Sequence, residues 1–234
     1  MTDIVDYRIL GEEMQMIEFG LAPAQIIRAK IGTVVYMDDG IEMLSGPDGM
    51  FARVKRLLQG DGFSGADFLN ACGNTRRIGF AAAYPGKIIA LNITEFGKAF
   101  FCQQQNLLCL TQEQVVRRAT IPKLGPFGGI NASGLQGVFG EGQVFLHAGG
   151  EAVSKSLSPG ETMVVDFACL IAFAQTVDWH IQGYYRPRRL CGERCPVWIR
   201  LTGPGKVLIQ TLPASKLAAV LSAFRDKTNA SKEN

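Results

Sequence analysis

Twenty-seven glycines and ten prolines punctuate the 234-residue chain, and they fall nearly everywhere between short apolar runs. Helix interiors tolerate neither residue well, since glycine costs about 1 kcal/mol and proline about 3 kcal/mol relative to alanine. The stretches left between the breaks, such as "IGTVVYMDDG", "AFFCQQQ", "VFLHAGG" and "KVLIQT", are of strand length and rich in β-branched and aromatic residues. The chain therefore reads as all-β, with many short strands joined by tight turns.

Two segments depart from that pattern. "DGMFARVKRLLQG" (48–60) places Phe51, Val54, Leu57 and Leu58 at helical spacing, with Asp48 as a cap and Gly60 as a stop. A short helix is expected near 50–59. "PASKLAAVLSAFRDK" (213–227) places Leu217, Val220, Leu221 and Phe224 on one face, which predicts a C-terminal packing helix followed by a polar tail. "TQEQVVRRAT" (111–120) fits either a helix start, with Thr111 and Gln114 as a capping box, or a strand through Val115 and Val116.

The stretch "LTGPGKVLIQT" (201–211) looks at first like a phosphate-binding loop. The spacing excludes it. A P-loop needs G-x-x-x-x-G-K-[ST], but Arg200 stands at the first glycine position and Val207 at the hydroxyl position. The flanks, Val197–Leu201 and Val207–Ile209, are strand-like, so a β-hairpin turned by Gly203-Pro204-Gly205 is expected.

The chain also resembles itself. "LAPAQIIRAKIGTVVYM" (21–37) and "LSPGETMVVDFACLIAF" (157–173) share a frame in which Ile27, Ala29 and Ile31 fall against Met163, Val165 and Phe167. A weaker copy, "FGKAFFCQQQNLLCL" (96–110), sets Phe100 against Met163, Cys102 against Val165, and Leu107-Leu108 against Leu170-Ile171. These copies predict a single β body over 1–212 made of three units, at about 1–73, 74–137 and 138–212, with 213–234 as the helix and tail.

At 47% apolar and 19% charged residues, the composition excludes a disordered chain. A net charge of +3 implies no general affinity for nucleic acid or anionic membranes. No apolar run approaches the ~20 residues of a membrane span. "MTDIVDYRIL" lacks the basic-then-apolar order of a signal peptide, so a cytoplasmic protein is expected.

Several ordered motifs resemble one family. They are the run Gly140, Gly142, Val144, Phe145, Leu146, then "L-x-P-G-E" (157–161), Val165-Asp166 and "GPGKVLIQT" (203–211), with "YMDDG" (36–40) and "VKRLLQG" (54–60) in the N-terminal half. Together they are similar to the altered-inheritance-of-mitochondria protein twenty-four family, whose bacterial members are mostly of unknown function. The resemblance covers about residues 10 to 212. It implies three short double-stranded β-helix units, jelly-roll-like sandwiches, as in the subunit of the tryptophan RNA-binding attenuation protein. Eukaryotic members are associated with mitochondrial membrane organisation, and no catalytic residues come with the family.

The residues themselves offer little chemistry. His147 lies in a strand running into a turn, where its ring would face solvent or satisfy a backbone group, and His180 precedes a basic stretch. Ser133 lacks the glycines of a nucleophile elbow. Cys191 and Cys195 in "CGERCP", with His180, make at most three zinc ligands, so two thiols near a loop tip, able to form a disulfide, are preferred. The other cysteines, as in "AFFCQ" and "DFACLIAF", read as buried small hydrophobes. Asp166 falls mid-strand with no partner acid. No catalytic residue, metal or cofactor is expected.

The most distinctive surface stretch is 183–200. There Tyr184, Tyr185, Arg186, Arg188, Arg189 and Arg194 lead to Trp198 and Arg200. Arginine forks interleaved with aromatic faces suit phosphates and stacked bases, or else the carboxylates of a neighbouring subunit. With charge nearly balanced, the second reading is preferred and nucleic acid is not expected as a partner. The sequence thus points to a non-enzymatic assembly or interaction module, a homo-oligomer joined through open sheet edges. The alternative is a nucleic-acid or anionic-ligand binder using 183–200.

Overall fold

The computed structural model of the chain describes residues 5–44, 63, 65–111, 115–118, 134–182 and 197–230. The first strands are β1 (Asp6–Leu10), β2 (Met16–Leu21), β3 (Ile26–Lys30), β4 (Val34–Met37), β5 (Ile41–Leu44), β6 (Gly65–Asn70) and β7 (Arg76–Ala81). There follow β8 (Gly86–Asn92), β9 (Ala99–Gln103), β10 (Leu107–Thr111), β11 (Val115–Arg118), β12 (Leu135–Phe139) and β13 (Gln143–Gly149). The last are β14 (Ala152–Leu157), β15 (Thr162–Asp166), β16 (Leu170–Ala174), β17 (Asp178–Gln182), β18 (Trp198–Thr202) and β19 (Gly205–Gln210), before the helix α1 (Ala214–Ala230). Within the ambiguous stretch at 111–120, the described residues Val115–Arg118 form strand β11, paired along β12.

Four antiparallel sheets result. Their orders are β1-β2-β7-β4, β5-β6-β3-β10-β13-β8, β11-β12-β9-β16-β19-β14 and β15-β18-β17. Among the turns at which the chain changes sheet are the short ones between β3 and β4, β9 and β10, and β15 and β16. In each case the second strand carries a bulge against its neighbour, between Val34 and Tyr36, Leu107 and Cys109, and Leu170 and Ala172. A bulge adds a residue to one strand and bends it, which is the geometry a strand needs when it leaves one sheet for another.

Strands buried on one face, such as β3, and strands buried along their whole length, such as β10 and β16, build two apolar clusters. In one, Phe19 stands edge-on to Phe145 at 5.0 Å and to Phe80 at 5.9 Å. The other gathers Phe100, Leu107, Leu146, Phe173, Ile199 and Val207. Burying a side chain of this size stabilises by about 1.5–3 kcal/mol. Beside them runs a buried amide network. Asn106 Nδ2 donates to the His147 carbonyl at 2.7 Å and to Gln210 Oε1 at 2.9 Å, while Gln210 Nε2 donates to the Ala168 carbonyl at 3.0 Å. These bonds tie the β9–β10 turn, β13, β19 and the β15–β16 turn together, although Asn106 Oδ1 itself finds no partner.

The Gly203-Pro204-Gly205 turn does not close a hairpin. β18 pairs with β15 and β17, whereas β19 pairs with β14 and β16 in another sheet. The turn is held instead by the preceding β14–β15 turn, with Gly203 N–H donating to the Glu161 carbonyl and Gly160 N–H to the Gly203 carbonyl. Lys206 lies over the Phe96 ring, 5.7 Å from its centre, and 3.9 Å from Glu95.

Helix α1 forms as the spacing predicts, but Val220 and Leu221 are exposed rather than packed. The helix expected near 50–59 lies outside the described residues.

Candidate assembly surface

An unpaired strand edge offers backbone donors and acceptors to any strand that can reach it, and natural sheets blunt such edges with charge, cover or curvature. Several edges here are managed in that way. β14 carries Ser154, Lys155 and Ser156, all exposed. β17 alternates Asp178, His180 and Gln182 along its edge. β8 is covered, because Met14 bridges to Gly86 and the Gln15 side chain accepts from Ile88 N–H at 2.7 Å.

Among the described residues, two edges are different. β4 reads Val-Val-Tyr-Met, with all four side chains exposed. β15 reads Thr-Met-Val-Val-Asp, with Val164 exposed at its middle. Neither carries a charge before its last residue. β4 is stiffened from behind, where Tyr36 Oη donates to Glu18 Oε2 and Arg8 Nε donates to Glu18 Oε1 at 3.1 Å. The Tyr36 hydrogen bond, joined by that of Arg8, holds the Glu18 carboxyl below its ordinary value. Burial and the Glu18 bond push the Tyr36 phenol up to about 12.

β15 ends in a polar knot. Asp166 does not sit mid-strand: it closes the strand and caps the following turn, accepting from Ala168 N–H at 3.1 Å, and pairs with Lys216 of α1 at 3.1 Å. Lys216 Nζ also donates to Cys169 Sγ at 3.1 Å, and these two partners raise its pKa, Cys169 more than Asp166.

The two histidines part company. His147 is buried edge-on to Tyr84 at 4.6 Å, so it does not face solvent. Burial, with the nearby Lys30 charge, pulls its pKa down to about 4, and the ring is neutral. His180 is exposed. Cys102 and Cys109 are buried as expected, whereas Cys72, in the turn after β6, and Cys169, in the short helical turn before β16, are only half-buried. Among the described residues no three His, Cys, Asp or Glu side chains converge as a metal site.

The arginine-rich stretch falls largely outside the described residues, including Tyr184, Tyr185, Arg186, Arg188, Arg189, Arg194, Cys191 and Cys195. Its described end is β18, where Arg200 stands between Val164 on β15 and His180 on β17. The amide of Gln182, turned so that its oxygen meets the guanidinium, accepts from Arg200 Nε at 2.8 Å. Sequence reasoning missed the two bare edges themselves. The only trace of them is a pair of uncharged runs, "VVYM" and "TMVV", that resemble buried strands.

A sequence model of the mitochondrial biogenesis AIM24 family matches residues 7–212. The chain belongs to this family. No curated protein matches it. A Streptococcus pyogenes protein solved by X-ray crystallography superposes on this AIM24 chain with a TM-score of 0.78 at 18% identity, covering 94% of this chain and 99% of its own. At that identity the likeness concerns the fold. Among the described residues, no helix of the AIM24 chain is long and apolar enough to cross a membrane.

Proposed function

We propose that this AIM24-family protein is a non-enzymatic assembly module that forms homo-oligomers through its sheet edges. The observation that carries the reading is the pair of bare apolar edges, β4 and β15, in a chain whose β8, β14 and β17 edges are covered or polar. An apolar edge without charge or cover is an aggregation hazard unless a partner occupies it.

The body is made of three double-stranded β-helix units of six strands each. Support comes from the strand order: β2-β7-β4, β8-β13-β10 and β14-β19-β16 run alike, as do β5-β6-β3, β11-β12-β9 and β17-β18-β15. The bulges fall at matching strands of each series. On this reading the unit boundaries lie in the β7–β8 turn (82–85) and the β13–β14 turn (150–151), well beyond the boundaries near 73 and 137 that the sequence suggests.

Native mass spectrometry tests the function. The expected result is a mass at a multiple of 25.4 kDa that collapses to one chain on denaturation. A single-chain mass at all concentrations, or one carrying a stoichiometric small molecule, overturns it.

A further inference from the structure

We infer that two copies of this chain join head to tail, β15 of one pairing antiparallel with β4 of the next, with Val164 opposite Met37. This rests on the assembly reading above and names the interface it uses.

The argument is continuity. Within the chain the same join is made twice, by β3 with β10 and by β9 with β16. In strand order β3, β9 and β15 hold one place, and β4, β10 and β16 hold the other. The series therefore leaves one strand of each kind unjoined, β15 at one end and β4 at the other. These are the two bare apolar edges.

Exposure separates the joined from the unjoined. Leu110 and Phe173, the middle residues of the two joins, are 1% and 0% exposed, whereas Met37 in the same place on β4 is 47% exposed and Val164 on β15 is 42%. The chain's own two ends therefore do not cover each other. A second copy can.

The register follows from the internal joins. Leu110 faces Arg28 and Phe173 faces Phe101, in each case one residue past the position after the bulge. On β4 that residue is Met37. The partners Arg28 and Phe101 face Asp67 on β6 and Gly137 on β12, and the residue of β15 facing the same place on β18, Arg200, is Val164. An interface of this kind uses two different surfaces, so each added copy presents a fresh β4 or β15. Growth continues until the assembly closes on itself.

Cysteine crosslinking reads the register directly, because residues directly opposite across antiparallel strands bring their Cβ atoms within disulfide range. The full-length double variant Met37→Cys/Val164→Cys should give, on mild oxidation, a covalent ladder rising in steps of one chain. Either single variant, which carries the same native thiols, should give none. A covalent dimer from Met37→Cys alone would mean that two β4 edges meet, and would overturn the proposal. An oligomer by native mass with no ladder would place the interface elsewhere, overturning this inference and leaving the assembly reading intact. A single-chain mass sinks both. An independent arm uses charge: Met37→Lys and Val164→Glu should each lose assembly while keeping the far-ultraviolet spectrum, and the two together should regain it. Failure of the pair to regain it, with both singles folded and dissociated, also overturns the register.

Discussion

Where β3 meets β10, the residues that face each other at the centre are Arg28 and Leu110; where β9 meets β16, they are Phe101 and Phe173. The backbone pairing is the same, and the bulged second strand is the same. The side-chain chemistry is opposite. At the first seam Arg28 reaches back along its own sheet to Asp67, and Lys30 Nζ donates to the Gln105 carbonyl at 3.3 Å. At the second, Phe101 stacks on Phe173 at 5.3 Å with Trp179 beside both rings. A ladder of main-chain hydrogen bonds accepts either filling, because register is set by which face is buried and by where the strand bends. Side chains then decide how strongly each seam holds.

The largest effect that comparison predicts is at the aromatic seam. Phe173 is fully buried and touches both Phe101 and Trp179. Phe173→Ala should destabilise by about 3–5 kcal/mol, the range for emptying a phenylalanine site in a packed core. Urea denaturation of the variant checks it. A loss under about 1 kcal/mol would mean that the ladder alone holds this seam and that the stacked rings are incidental.

Acid should find the first seam sooner than the second. One residue beyond the paired Leu146 on β13 stands His147; one beyond the paired Ile209 on β19 stands Gln210. The amide of Asn106 bonds to both residues. Only the histidine titrates. Its folded-state pKa lies at about 4, below its ordinary 6.5, so the unfolded chain binds the proton first. Its contribution is therefore complete above about 6.5 and is lost as pH falls toward about 4. Chemical denaturation at stepped pH should show stability falling through that window in the wild type, with a flatter profile in His147→Gln. An unchanged slope in the variant would move the acid sensitivity to carboxylates such as Glu18, whose depressed pKa places its own loss lower in pH.

The same contrast explains how much the sequence could reveal. The frame shared by 21–37 and 157–173 was legible because strand, turn and strand are local, and β3–β4 and β15–β16 fall on those runs. The middle copy read as weak because Phe101 and Cys102 stand where Arg28 and Ala29 stand, and a ladder does not constrain that choice. The Gly203-Pro204-Gly205 turn announced a reversal, but a turn does not say which strand its flanks will pair with. Long-range partners took both β18 and β19. Likewise the stripe of Leu217, Val220 and Leu221 announced a helix, yet nothing local in it says what covers the stripe, and Val220 and Leu221 stand exposed. The bare edges were the least legible feature, since "VVYM" reads as core until its neighbours are known to be missing.

The smallest of the expected effects tests the comparison most narrowly. Arg28 holds Asp67 with a forked contact, Nε to Oδ1 at 2.6 Å and one terminal nitrogen to Oδ2 at 3.1 Å, and both side chains are partly exposed. A half-solvated fork of this kind contributes about 1–2 kcal/mol, less than a buried ring and more than a fully exposed ion pair. Arg28→Ala should therefore cost about that much by urea denaturation. Coupling in a cycle with Asp67→Ala should shrink as salt is raised, because screening reaches partly exposed charges. Phe173→Ala, with no charge removed, should keep its full cost in the same salt series. If Arg28→Ala instead matches the ring deletion and ignores salt, its stem rather than its charge fills the seam beside Leu110. The two seams would then be packed alike despite their different residues.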